Sequence, residues 1–179
     1  MEVTMTSRPS ENEFASYFLR YVALVPESDV LSALETQVAD LTRLLAAVNP
    51  ERETYRYAPG KWSVREVLGH LIDGERVFGY RAFCISRGEA ALLPSFDENN
   101  YVAESRYNER TLADLVAEFI LIRRSNLAFL GQLTEGAWKR VGTASNNPIS
   151  VRAVAFIMVG HVRHHFNVLG TSYGISAGS

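Results

Sequence analysis

Apolar residues recur every three or four positions along most of the chain, and polar breaks divide that pattern into four long segments. Leu31, Leu34, Val38, Leu41, Leu45 and Val48 form the first seam, which predicts a helix from about Ser28 to Asn49-Pro50. The residue before a proline is pushed out of helical geometry, so the pair ends it. A second helix is predicted from Ser63 to Ser86, stopping at Gly88. Ser63 and Glu66 make an S-x-x-E capping box that satisfies free backbone donors of the first turn. Thr111, with Asp114 three residues on, caps a third helix whose inner face holds Leu112, Leu115, Phe119 and Ile122, and the stripe continues to Phe129 and Leu133. Ser150 caps the fourth, which runs through Val151, Val154, Met158, His161, His165 and Val168 to about Leu169, with Gly170 as its stop. A shorter helix is expected over residues 11–24, where Phe14, Phe18, Tyr21 and Val22 share a face before Pro26.

Two connections stand out. Residues 88–110, with Pro94 and the polar run D-E-N-N-Y, are too long for a tight helical hairpin and imply a crossover or a functional loop. Residues 134–149 read as a second loop anchored by Trp138. No strand alternation and no repeat is evident. The ends carry no period, so residues 1–10 and 171–179 are expected to be disordered tails around one domain over 11–170. The fold class is therefore all-α: a four-helix bundle with a long connection between helices 2 and 3 and a short N-terminal helix.

Composition narrows the function classes. The chain has 179 residues, 47% of them hydrophobic, enough for one domain with a real core. A net charge of -2 argues against a broad nucleic-acid surface, which needs a basic excess. No apolar run reaches the roughly 18 residues of a membrane span. The first residues lack the basic head and apolar run of a signal peptide. A lone cysteine, Cys84, allows no intramolecular disulfide and reads as core filler. A cytoplasmic location is the default expectation.

The histidines carry the candidate chemistry. Three of the four lie within five residues: His161, His164 and His165. The seam of the fourth helix places 161 and 165 inward, four residues apart on one face, where two imidazoles can converge on one ion. His164 falls off that seam. A third ligand must come from a facing helix, and His70 is the histidine that remains. Glycine stands near these rings at positions 69, 74 and 160, although glycine inside a helix costs about 0.5–1 kcal/mol relative to alanine. The same spacing also occurs in helices whose histidines only pack; buried rings of that kind need other partners, and no polar residue on the stripe supplies them.

The segment K-W-S-V-R-E-V-L-G-H-L-I-D-G-E-R at 61–76, with G-H-V-R-H-H at 160–165, resembles the DinB-like (YfiT-like) superfamily of metalloenzymes. L-P-S-F-D-E-N-N-Y-V at 93–102 and G-T-A-S-N-N-P-I-S-V-R-A at 142–153 extend the resemblance over about Phe14 to Leu169. It implies a four-helix bundle of unusual topology with a metal site at His70, His161 and His165. The ion implied is nickel or zinc, or manganese or iron as in some members, with water completing the shell; a homodimer is also implied. Val162 departs from the pattern, which often has an acid there, but it lies outside the ligand set.

Three imidazoles leave an open coordination position, the catalytic type of site. The expected function is a divalent-metal-dependent enzyme acting on a small molecule, as a thiol-dependent transferase using a low-molecular-weight thiol or as a hydrolase. A metal-binding bundle without catalysis, acting as a binding or stress-response protein, and a bare bundle whose histidines only pack are the rivals. Asp73, three residues from His70, is expected to accept a ring N–H from a ligand histidine. Glu75 is expected to pair with a base. Phe96, Asp97, Asn100 and Tyr101 are candidates for the pocket wall, as are Tyr17 and Tyr21 more weakly. Arg81 reads as an ordinary surface arginine, with an anchor for an anionic group as the sharper alternative. Trp62 reads as a packing residue only.

Overall fold

The capping signals open helices where the sequence places them, in a computed structural model that describes residues 7–175. The elements are α1 (Leu19–Val22), α2 (Val30–Ala46), α3 (Val64–Ser86), α4 (Glu98–Glu104), α5 (Leu112–Leu130), α6 (Glu135–Trp138), β1 (Val141–Ala144), β2 (Asn147–Ser150) and α7 (Val151–Tyr173). The Ser63–Glu66 box closes both ways, with Ser63 Oγ accepting from the Glu66 N–H at 3.1 Å and the Ser63 N–H donating to Glu66 at 2.7 Å. Thr111 and Ser150 cap α5 and α7 as predicted, and Asp29 caps α2 one residue past Ser28.

The four long helices are α2, α3, α5 and α7. Their buried faces fall into two apolar clusters. Val30 and Leu34 of α2, Phe78 and Ile85 of α3, Leu130 of α5 and Val151 to Val159 of α7 belong to one. Leu41 and Leu45 of α2, Leu68 and Ile72 of α3, Leu112 and Phe119 of α5 and Leu169 of α7 belong to the other. Thus α3 and α5 run in the same direction, and α2 and α7 run opposite to them. Two consecutive parallel helices require a return along the full bundle, which is what residues 88–110 provide. That return contains α4 and a 3-10 turn at Tyr107–Glu109.

Several expectations are corrected. The 134–149 segment is not a plain loop: it holds α6 and most of an antiparallel hairpin in which Val141 faces Ser150 and Ala144 faces Asn147. Its two-residue turn puts Ser145 at φ 51 and Asn146 at φ 62, the left-handed geometry that matches strand twist. Residues 11–24 form 3-10 turns at Glu11–Glu13 and Ser16–Phe18 and then α1, not one helix. The fourth helix passes Gly170 and ends at Gly174, which takes φ 64. It continues because Tyr173 is buried and its hydroxyl donates to the Trp62 carbonyl at 2.6 Å. Residues 171–175 are therefore ordered. So are residues 7–10, since Arg8 donates to the Val22 and Val25 carbonyls at 2.9 and 2.6 Å. The remaining ends, 1–6 and 176–179, lie outside the described residues. On α2 the inner face takes Gln37, with Val38 only half-buried. Among the described residues no helix is long and apolar enough to cross a membrane.

Candidate metal centre

His70 sits on α3 in its second turn, and His161 and His165 sit one turn apart on α7. The three ring centroids form a nearly equilateral triangle with sides of 4.8, 4.8 and 4.7 Å. One ring nitrogen from each lies within 4.8 Å of the others, and the Nε2 atoms of His70 and His161 are 2.9 Å apart. The rings are 6%, 6% and 9% exposed. Burial is the main cause that moves their pKa values down, to about 4 for His70 and well below the ordinary range for His161 and His165. At neutral pH all three are uncharged, the form in which imidazole offers a lone pair to a cation.

The donor set fits a metal ion. His70 and His161 meet through one nitrogen each, while Nδ1 of His70 and Nδ1 of His165 are sealed from solvent with no partner among the described residues. Three imidazoles in mutual contact with no acid between them cannot satisfy one another. A central cation that accepts lone pairs resolves that contact.

The walls are aromatic. The Trp62 indole lies 4.7 Å from the His70 ring at a 37° tilt, and Tyr21 and Phe78 meet His161 edge-on at 5.5 and 5.7 Å. Gly74 leaves room for His161, since a Cβ there would lie 3.0 Å from Cε1 of the ring. The other two glycines serve different ends: Gly69 accommodates the Tyr107 ring, and Gly160 lets α7 touch the backbone of Tyr21. The histidines open onto a pocket of about 270 Å³ lined also by Tyr17, Phe18, Arg20, Arg81, Phe96, Glu98, Ser145 and His164. His164 is half-buried against Tyr21, off the converging face as its phase predicts.

Some candidates are displaced. Asp73 does not reach a ligand histidine: its Oδ1 accepts from the Tyr107 hydroxyl at 2.6 Å, and Tyr107 arrives with the crossover. Of the four loop candidates, Phe96 lines the pocket. Asp97 instead caps α4 by accepting from the backbone of Asn99 and Asn100 at 3.0 and 3.1 Å. Asn100 and Tyr101 face a separate basin that holds Asp73 and Arg76, although the Tyr101 ring packs on Phe96 at 5.5 Å. Trp62 is more than a packing residue at a helix entrance, because it covers His70. Arg81 is not on the surface; it is 3% exposed in the pocket wall. The steps His70, Gly74, Phe78, Arg81 are four, four and three residues, so all four share one face of α3, a signal present in the sequence.

Glu75, on the adjoining face of α3, pairs with a base as expected. Arg123 Nε and Nη2 donate to its two oxygens at 2.8 and 2.7 Å, and both side chains are buried. Arg123 Nη1 also donates to the Leu34 carbonyl at 2.9 Å and to Gln37 at 3.0 Å. Gln37 in turn donates to the Val159 carbonyl of α7 at 2.8 Å, and Asn126 donates to Glu75 at 3.1 Å.

The fold has solved relatives. YfiT from Bacillus subtilis, described as a probable metal-dependent hydrolase with an unusual four-helix bundle topology, matches with TM-score 0.74 and 20% identity over 96% of this chain and 95% of that one. A mycothiol-dependent maleylpyruvate isomerase matches with TM-score 0.67 and 12% identity over 87% of this chain, which spans 64% of that protein. A DinB-like protein of Bacillus subtilis, YjoA, matches with TM-score 0.55 and 20% identity over 78% of this chain and 85% of that one. At these identities the likeness is one of fold. No curated protein matches in sequence. The sequence profile of the DinB superfamily, however, matches residues 33–169, the stretch that contains all four long helices nearly whole and the three converging histidines, and the chain belongs to that superfamily.

Proposed function

We propose that His70, His161 and His165 hold one divalent metal ion, and that the chain is a metal-dependent enzyme acting on a small molecule in the adjoining pocket. The observation that carries this reading is the convergence of three buried, neutral imidazoles at a pocket that remains open on one side. Zinc and nickel suit an all-imidazole donor set, and iron and manganese are further occupants to test. Once bound, a divalent ion supplies Lewis-acid activation of a water or of a substrate thiol. The chain's own residues supply the setting. Trp62, Phe78 and Tyr21 fix the rings and keep bulk water from three sides, while Phe96 and Tyr17 border the substrate space.

Hydrolysis is the first reaction to test, because the likeness to YfiT spans nearly the whole of both chains. Transfer involving a low-molecular-weight thiol is the second, favoured by the likeness to the mycothiol-dependent isomerase. A metal-binding bundle without catalysis calls for a blocked site, and the open pocket supports an enzyme instead. Protein loaded with zinc or nickel and then dialysed is expected to keep one ion per chain by elemental analysis, and His161→Ala to lose it. Dialysed wild-type protein without metal would overturn the proposal. Loaded protein is then offered ester and amide substrates, or a thiol with an electrophile, and the turnover observed separates the two reactions.

A further inference from the structure

The pocket contains a buried cation that the metal reading leaves without a task. Arg81 is 3% exposed, yet no carboxylate pairs with it among the described residues. The buried Arg123 of the same bundle, in contrast, has its bidentate glutamate. A guanidinium has five N–H donors. Two hydrogen bonds leave Arg81, both from Nη2, to the Pro94 carbonyl at 2.7 Å and to Ser145 Oγ at 2.9 Å. Nε and Nη1 have no partner among the described residues, and neither belongs to the polar atoms that are sealed off, so they reach open space.

The surroundings hold this group in place. Ser145 is held in the two-residue hairpin turn at φ 51. The hairpin is tied to the crossover by the Leu93 N–H donating to Thr143 at 2.9 Å and the Ser145 N–H donating to Leu93 at 3.0 Å. Both acceptors of Arg81 thus come from one braced corner. A guanidinium held in a pocket wall with free donors is stabilised when an anion arrives beside it.

We propose that Arg81 is a specificity-determining residue that binds a carboxylate group of the substrate, so that the pocket selects small monocarboxylates. The proposal rests on this pocket being the substrate site. Arg81 contributes one positive charge to the wall beside the histidine site, enough to pair with one carboxylate group. Glu98 on the same lining disfavours a phosphate dianion, and the only other arginine there, Arg20, is exposed at the rim with its guanidinium 3.9 Å from the Tyr17 ring centroid.

Benzoate and its neutral isostere benzamide test this on wild-type protein treated with chelator, which removes direct binding to metal. Side-chain NMR is expected to show the Arg81 Nε–H and the Trp62 indole N–H moving with benzoate and neither moving with benzamide. Trp62 is needed because Arg81 also borders a groove beside Tyr80 and Pro94 that Trp62 does not reach. Arg81→Gln is expected to weaken benzoate by about tenfold or more, and Arg81→Lys to keep part of the affinity. Equal responses to the two ligands, movement of Arg81 alone, tighter binding of inorganic phosphate than of benzoate, or no binding of benzoate would each overturn the proposal. The wild-type spectra decide even where Arg81→Gln fails to fold. Zinc content, measured separately, keeps the two readings apart: protein that retains zinc but ignores benzoate refutes the carboxylate alone, and protein that binds benzoate but no zinc refutes the metal alone.

Discussion

Two polar clusters are buried where α3 meets its neighbours, and they differ in how completely they are satisfied. In the Arg123 cluster, α5 meets Glu75 of α3 and Gln37 of α2, and Gln37 passes the connection on to α7; both carboxylate oxygens and all three guanidinium nitrogens are bonded. In the histidine cluster, only five residues away along α3, two ring nitrogens have no partner among the described residues, and the Nε2 atoms of His70 and His161 meet with no acid between them. A saturated network is a joint: it fixes how helices register and offers nothing to a ligand. An unsaturated one in contact with a pocket is where a ligand completes the count. The comparison separates the parts of this bundle that hold it together from those that face chemistry.

The largest way to break the comparison is Arg123→Ala. It strands Glu75 as an unpaired buried charge, and a loss of about 3–5 kcal/mol is expected in urea unfolding. Replacing Arg123 by Met and Glu75 by Leu together should cost far less, because both charges then leave the core. A double variant as damaged as the single one would mean that the network does more than close itself.

The next effect concerns the open cluster. With zinc at a hundredfold excess over its dissociation constant, wild-type protein should gain about 2.7 kcal/mol, seen as a raised thermal midpoint that chelator reverses. His161→Ala should melt at one temperature with or without zinc. Equal midpoints for the wild type would return the histidines to simple packing.

A smaller effect sharpens the contrast between site and scaffold. Gly74→Ala brings a Cβ to 3.0 Å from the His161 ring, so zinc affinity should fall about tenfold in a chelator competition. Stability should barely change, since alanine favours the helix by about 0.5–1 kcal/mol and offsets the crowding.

A further effect, confined to acid pH, lies outside both clusters. Burial works against the charge of Glu13, but bonds from Arg152, Ser10 and Ser150 outweigh it and bring its pKa down from 4.5 to about 2. A carboxylate with a depressed folded pKa adds stability above its unfolded pKa and loses it as pH falls from about 4.5 toward 2. Glu13→Gln should flatten that part of the acid unfolding curve and leave zinc binding at neutral pH unchanged.

What the sequence made legible was local. Ser63–Glu66, Thr111 and Ser150 announce helix starts through contacts three residues long, and the phase of α7 alone puts His161 and His165 inward. The parallel run of α3 and α5 was implicit in the length of the 88–110 connection. What stayed hidden depends on partners far apart in the chain. Gln37 and Arg123 look like surface residues until Glu75 is set between them, 48 positions from Arg123. Asp73 finds Tyr107 only when the crossover returns. The hairpin escaped notice because its strands are four residues long, one contains Pro148, and its turn uses Ser145-Asn146 without the usual glycine. The helical phase of Arg81 puts it on the face of His70, but its burial without an acid depends on Pro94 and Ser145, which lie further along the chain.

The close contact between Gly160 and the Tyr21 carbonyl sets an order of events during synthesis. Any side chain at 160 would overlap that backbone, so α1 lies flush against the middle of α7. Residues near 21 are synthesised well before the stretch of α7 that receives them. Until α7 is made, the Tyr21 backbone lacks the surface it packs against in the finished bundle. One wall of the pocket is therefore made before the helix that completes it.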